Sequence, residues 1–167
     1  MYQRARLLLD LRANAGPNLE EAVKTASLFL DGGTVVTIAD RKAGNSDLRA
    51  GPSGPLWRGP MVVLVGQGTA GPAEVLAAAL RDRAGATLVG DRTWGLGSVQ
   101  KVIPLPGGDG IRISVGKYVS PGGKEWNGAG LSPDVEQSAG PGEPGQDLQI
   151  QKGLEVLKAG WEEREAA

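Results

Sequence analysis

Hydrophobic and polar positions along the chain switch between a two-residue and a helical period. Ala5 to Leu11 is a short apolar run that ends in Asn14-Ala15-Gly16-Pro17, the pattern of a buried strand entering a turn. Asn18 followed by Glu21 has the form of a capping box. Leu19, Ala22, Val23, Ala26, Phe29 and Leu30 then recur at helical spacing until Asp31-Gly32-Gly33, which predicts one amphipathic helix. The β-branched stretch Thr34 to Ile38 predicts a second strand. Ala43 to Pro60, rich in Gly, Pro, Ser and Asn and without a sustained period, predicts a surface loop.

The strongest strand signal is Met61-Val62-Val63-Leu64-Val65. It is followed by the turn Gly66-Gln67-Gly68-Thr69-Ala70-Gly71 and by Pro72, which suits a first helical turn because its missing N–H has no partner to lose there. A strand, a glycine-rich turn and a helix in succession form an architecture for a site. The helix predicted from Pro72 to about Ala84 carries Val75, Leu76, Ala79 and Leu80 on one face, with Gly85 as its C-terminal cap. Thr87-Leu88-Val89 predicts a return to a sheet. Ser98 to Leu105 and Ile111 to Val119 predict two strands joined by a hairpin-like connection at Pro106-Gly107-Gly108-Asp109-Gly110. These elements predict an α/β core over residues 1–138, a Gly/Pro linker over 139–145 and a terminal helix over 146–167 that belongs to the same domain. In that helix Gly153 and Gly160 are each expected to cost about 1 kcal/mol relative to alanine.

Composition narrows the chemistry. With 167 residues, 40% of them hydrophobic and 22% charged, the chain has the make-up of one folded domain. A formal net charge of −1 supplies no field to attract nucleic acid or anionic lipid, and no apolar run has the roughly 20 residues of a membrane helix, so neither partner is expected. The Met1 end lacks the apolar stretch of a secretory signal. Cys and His are both absent, which removes the usual zinc ligands, thiol nucleophiles and imidazole bases, and no metal or other cofactor is expected. Any catalysis would rest on Ser, Thr, Lys or carboxylates. The phosphate-loop spacing suggested by Gly66 to Gly71 fails at Pro72-Ala73, where Lys-Ser/Thr is required.

Six ordered segments resemble the carboxyl-terminal processing (tail-specific) serine peptidases. Leu9 to Gly16 resembles the family's L-D-L-R-x-N-P-G segment, and Ala26 to Gly33 matches the helix end that follows it. Gly68-Thr69-Ala70-Gly71-Pro72-Ala73-Glu74-Val75 is similar to the nucleophile segment G-T/S-A-S-A-S-E-I, and Gly90 to Gln100 is similar to the lysine segment G-E-x-T-F-G-K-G-x-V-Q. Tyr118 to Lys124 and Gly130 to Val135 complete the order. The resemblance covers roughly residues 5–158. It implies a ClpP/crotonase-like spiral core, partial here because the PDZ domain and the N-terminal part of the core have no counterpart. It further implies hydrolysis of proteins by a serine nucleophile with a lysine base, peptide or protein C-termini as partners, and a periplasmic or extracytoplasmic setting.

The same resemblance puts the nucleophile position on Gly71 and the base position on Leu96, 25 residues apart as in the family. Glycine has no nucleophilic atom and leucine accepts no proton. The oxyanion donors it implies fall on the N–H groups of Gly16 and of residue 72, and Pro72 has none. Gln100 matches a lysine-orienting glutamine with no lysine left to orient, and a plain strand or turn role is its simpler reading. Thr69 and Ser98, each two residues from a vacated position, are the remaining hydroxyl candidates in the cleft. Trp94 is expected to border that cleft with Leu96, whereas burial is the ordinary fate of scattered tryptophans such as Trp57, Trp126 and Trp161. Asp10, Asp91 and Asp134 are read as turn and strand-end residues. The expectation is therefore an inactive homologue that binds peptide or mediates assembly, set against an active serine-type endopeptidase using Thr69 or Ser98. An uncovered apolar edge would call for a homo-oligomer or a complementing chain.

Overall fold

The computed structural model describes residues 5–16, 18–52, 54–140 and 146–165, with side chains as far as residue 160. Eight strands and three helices follow in the order β1 (Leu7–Asp10), α1 (Leu19–Ser27), β2 (Thr34–Asp40), β3 (Gly44–Arg49), β4 (Met61–Val65), α2 (Pro72–Ala84), β5 (Thr87–Gly90), β6 (Ser98–Pro104), β7 (Gly110–Val119), β8 (Val135–Glu136) and α3 (Leu148–Glu165). One sheet has the order β1-β4-β5-β8 and is parallel throughout. The second, β3-β2-β7-β6, is antiparallel throughout. This is a mixed α/β core.

Every residue of β4 is buried, the mark of a parallel strand covered on both faces. Met61, Val63 and Val65 turn toward α1 and α2, and the same apolar cluster takes in Val35 and Val36 of β2 together with Tyr118 and Trp126. Val62 and Leu64 turn the other way and meet Val89 and Leu157. Helices α1 and α2 thus lie between the sheets, and α3 covers the outer face of the parallel one. Helix α2 is apolar nearly all round, with Ala73 through Leu80 buried without a break, which is why its alanines matter as spacers. Among the described residues no helix is long and apolar enough to cross a membrane.

Four expectations need correction. Residues 44–49, read as loop, form β3, which pairs along β2 from Thr34↔Arg49 to Asp40↔Gly44. The strand is exposed at nearly every position, so no apolar period marks it; main-chain pairing, the bonds of Asp47 to Thr34 and Thr37, and half-buried Leu48 against the core hold it. Helix α1 ends at Ser27 rather than Leu30. The N–H groups of Leu28 and Phe29 reach back three residues to Thr25 and Ala26, and this tighter turn drives Leu30 into the core. Only half of the expected capping box forms there, because Asn18 accepts from the N–H groups of Glu20 and Glu21 while the Glu21 carboxylate pairs with Lys24. Gly153, expected only to weaken α3, is a contact residue: a Cβ there would stand 2.9 Å from Leu8 Cδ1 and 3.2 Å from Val62 Cγ1. Gly160 has nothing within 4 Å of that position and fits the plain expectation.

Candidate functional site

The carboxyl ends of parallel strands open onto the surface where α/β proteins hold ligands. Here the ends of β1, β4 and β5 do so around a cleft of about 1110 Å³ lined by Arg12, Asn14, Gly16, Gln67, Asp91 and Gln149, among others. From Val65 the chain turns through Gly66 to Gly71 into α2. Thr69 holds this turn from inside: fully buried, its hydroxyl donates to the Leu11 carbonyl at 2.7 Å and accepts from the Gly66 N–H at 3.0 Å. The expected place of Thr69 in an open cleft is therefore corrected. Its oxygen is a structural link between β1 and the turn.

Gly71 adopts φ 59° and ψ −122° at the N-terminus of α2, a conformation that strains any residue bearing a Cβ. A Cβ built there would meet Leu96 Cδ2 at 3.4 Å, ordinary van der Waals contact. Two positions 25 residues apart in the chain thus lie side by side. Leu96 is 37% exposed and its neighbour Trp94 69% exposed, so both offer apolar surface to solvent beside Gly71. Pro72 and Gly16 border one small cavity of about 170 Å³, which brings the two expected oxyanion positions together as well. The Gly16 N–H donates to Asn14 Oδ1 within its own loop, and Pro72 has no N–H to offer.

The residue that sequence reasoning missed is Glu74. Its carboxylate is fully buried, forms no ion pair with Lys or Arg among the described residues, and accepts four hydrogen bonds. Oε2 accepts from the Gly71 N–H at 2.9 Å and the Leu96 N–H at 2.8 Å. Oε1 accepts from the Gly95 N–H at 2.8 Å and from the Thr93 hydroxyl. The Thr93 oxygen in turn accepts from the Leu131 N–H. One side chain thereby fixes the backbone at both residue 71 and residue 96. The available signal was a glutamate at the third position of a helix begun by proline, which reaches back to the N-terminal N–H in half of a capping box.

The other candidates fall elsewhere. Ser98 lines a separate cavity of about 510 Å³ with Ser114, Lys117 and Asp40, and its hydroxyl lies 3.3 Å from that of Ser114. That cavity includes neither Gly71 nor Leu96. Gln100 is exposed on β6, opposite Ser114 and next to a break in register. Asp134 accepts from the Leu88 N–H, as its strand-end reading requires, while Asp91 accepts from Ser138 and Gln149. Arg12 is clamped between Asp10 and Asp147 at 2.6 and 2.7 Å and also donates to Gln149. The Arg12 guanidinium holds the Asp10 carboxyl below the usual carboxylate range. Asp147 is lowered first by the Ile150 N–H it caps and then by Arg12. No cluster of three or more metal-ligating side chains occurs among the described residues.

Comparison with known proteins gives this geometry a lineage. The model of peptidase family S41 matches residues 2–137. The chain is 40% identical over 128 residues to carboxyl-terminal-processing peptidase 1, chloroplastic, of Arabidopsis thaliana, covering 76% of this chain and 26% of that protein. Over 157 residues it is 38% identical to the carboxyl-terminal-processing protease of Picosynechococcus sp., covering 91% of this chain and 38% of that protein. Among solved structures, the photosystem II D1 C-terminal processing protease superposes with a TM-score of 0.73 at 39% identity, over 80% of this chain and 35% of the other. The chain spans well under half the length of each of these relatives.

Proposed function

Because the chain belongs to peptidase family S41, we propose that it is a non-catalytic member that keeps the family's site as a shape and uses it to hold an extended peptide or to mediate assembly. The contact of Gly71 with Leu96 carries this reading. The two positions that the family resemblance assigns to nucleophile and base are adjacent in space, and neither bears an atom that attacks or accepts a proton. In a serine protease, loss of nucleophile or base alone lowers kcat by about 10⁶, and loss of one oxyanion donor lowers it by roughly 10² to 10³. Peptide binding is supported by the open cleft at the strand ends and, separately, by exposed Leu96 and Trp94 near Gly71, an apolar surface suited to a peptide side chain.

The competing reading is a serine-type endopeptidase with a substitute nucleophile. Thr69 is poorly suited, since its hydroxyl is buried and already engaged on both sides, and Ser98 lies in another cavity. A fluorophosphonate probe separates the readings: labelling of any hydroxyl, or cleavage of an unfolded protein at a rate proportional to this chain, would refute the non-catalytic one. Calorimetry with peptides bearing apolar C-termini should show binding without product, and absence of binding at millimolar peptide would remove the peptide-holding half. The triple change Gly71→Ser, Pro72→Ala and Leu96→Lys restores the three expected functions at once. The 3.4 Å spacing leaves room for the serine Cβ, at a backbone strain of about 1–3 kcal/mol. Cleavage appearing only in the triple variant is the expected result.

A further inference from the structure

The outer half of the β6–β7 hairpin stands clear of the molecule. β7 pairs with β2 only from Gly116 to Val119, and β6 pairs with β7 alone. From Gln100 to Ser114 the two strands therefore form an arm with no third strand. An isolated two-stranded ribbon is marginal in water without a packed face. One face of this arm is apolar. Strand alternation and cross-strand pairing set out three rows on it: Lys101 with Ile113, Ile103 with Ile111, and Leu105 with Asp109, whose carbonyl accepts the Leu105 N–H. The four apolar side chains remain 39–47% exposed. Together they offer roughly 300 Å² of apolar surface, the size of the largest patch on many monomers.

We propose that this face packs against the same face of a second copy, in an isologous dimer whose two-fold axis crosses the Ile103–Ile111 row. Charge selects this occupant. Lys101 and Asp109 stand in the rows on either side of the central one, and neither lies within ion-pair distance of an opposite charge in its own chain among the described residues, Lys101 acting on Asp40 only from farther off. Stacked face to face with opposite strand directions, as a two-fold lying across the strands requires, the row holding Lys101 in one copy lies over the row holding Asp109 in the other, twice. A single operation thus covers the apolar Ile103–Ile111 row with its own copy and brings each of the two charges near an opposite one in the facing row. With the flanking polar residues and the hairpin turn, the contact would bury on the order of 1,000 Å² in total, at the lower limit for a specific interface.

Sedimentation across a concentration series of the whole chain tests this. The expected result is a monomer–dimer equilibrium that Ile103→Lys weakens at least about tenfold without lowering the melting temperature, since the side chain is half exposed. Lys101→Asp should weaken it too, and the exchange Lys101→Asp with Asp109→Lys should restore it. The chain contains no Cys, so Ile103→Cys provides a unique site at which a short bis-maleimide should link two copies. A chain that stays monomeric at about 1 mM overturns the proposal, as does a dimer indifferent to these arm variants or a charge exchange that restores nothing.

Discussion

Replacing Glu74 by Gln changes one atom of a side chain with no solvent exposure and tests whether residues 71 and 93–96 are held as a unit. The amide keeps one acceptor oxygen and turns the other into a donor. If the NH2 replaces Oε2, it faces the Gly71 and Leu96 N–H groups, both left without an acceptor. If it replaces Oε1, the Gly95 N–H is orphaned and the Thr93 hydroxyl must re-aim while still accepting from Leu131. Either flip strands at least one buried N–H, at about 1–3 kcal/mol, and removes charge-assisted bonds of about 1.5–3 kcal/mol each. Relief from burying a charge offsets part of this. The expected net loss is about 2–4 kcal/mol, which for a domain of this size lowers Tm by about 4–16 °C. Thermal unfolding followed by circular dichroism measures it. Amide exchange should accelerate at Gly71, Gly95 and Leu96 before it does in β4. A variant melting within a degree of the parent, with exchange at those amides unchanged, would refute the account of Glu74 as the brace.

Further outcomes follow from the same contacts. Thr69→Val should cost about 1–3 kcal/mol by leaving the Gly66 N–H unpaired and removing one of the two bonds to the Leu11 carbonyl, which keeps the Asn14 N–H, measured as a urea midpoint, with no effect on any hydrolysis. The two glycines of α3 should respond with opposite signs. Gly160→Ala should stabilise by about 0.5–1 kcal/mol, whereas Gly153→Ala should gain nothing or lose up to about 2 kcal/mol as its methyl meets Leu8 and Val62, in the same urea titration. Asp10 and Asp147 carry lowered pKa values in the folded state, so their contribution is present above the unfolded value near 4 and is lost as pH falls below it. Both side chains are more than a third exposed, which keeps that contribution small. Below about pH 4, α3 should lose exchange protection ahead of α2, and Asp147→Asn should remove much of that difference; equal protection at all pH values would count against it.

What was legible in the sequence and what was not divides along physical lines. Met61 to Ala84 was legible because a fully apolar strand, a glycine turn, a proline at a helix start and Gly85 in a left-handed cap each leave a local mark. β3 left none, since a strand exposed everywhere but at Leu48 has no apolar period and exists through its partner. The side-by-side placement of residues 71 and 96 could be inferred only from two separate motifs. The role of Glu74 depends on donors from residues 71, 93, 95 and 96, and no local pattern joins them. Gly153 misled for a similar reason: helix propensity counts the backbone alone, and the strands of Val62 and Leu8 that Gly153 touches lie 91 and 145 residues earlier in the chain.

The placement of the tryptophans gives the protein an optical asymmetry. Trp126 is buried and stacked on Tyr118 with ring centroids 6.2 Å apart, while Trp94 stands 69% exposed beside Leu96. The first indole sits in an apolar medium and should emit toward the blue, changing only when the core opens. The second is bathed in water and should emit toward the red, shifting or quenching when anything settles over Leu96. A Trp94→Phe variant subtracts the outer signal from the spectrum, and removing Trp57 and Trp161 as well leaves Trp126 alone. Folding and occupancy of the cleft are thus written in different parts of one emission spectrum, readable without attaching a dye.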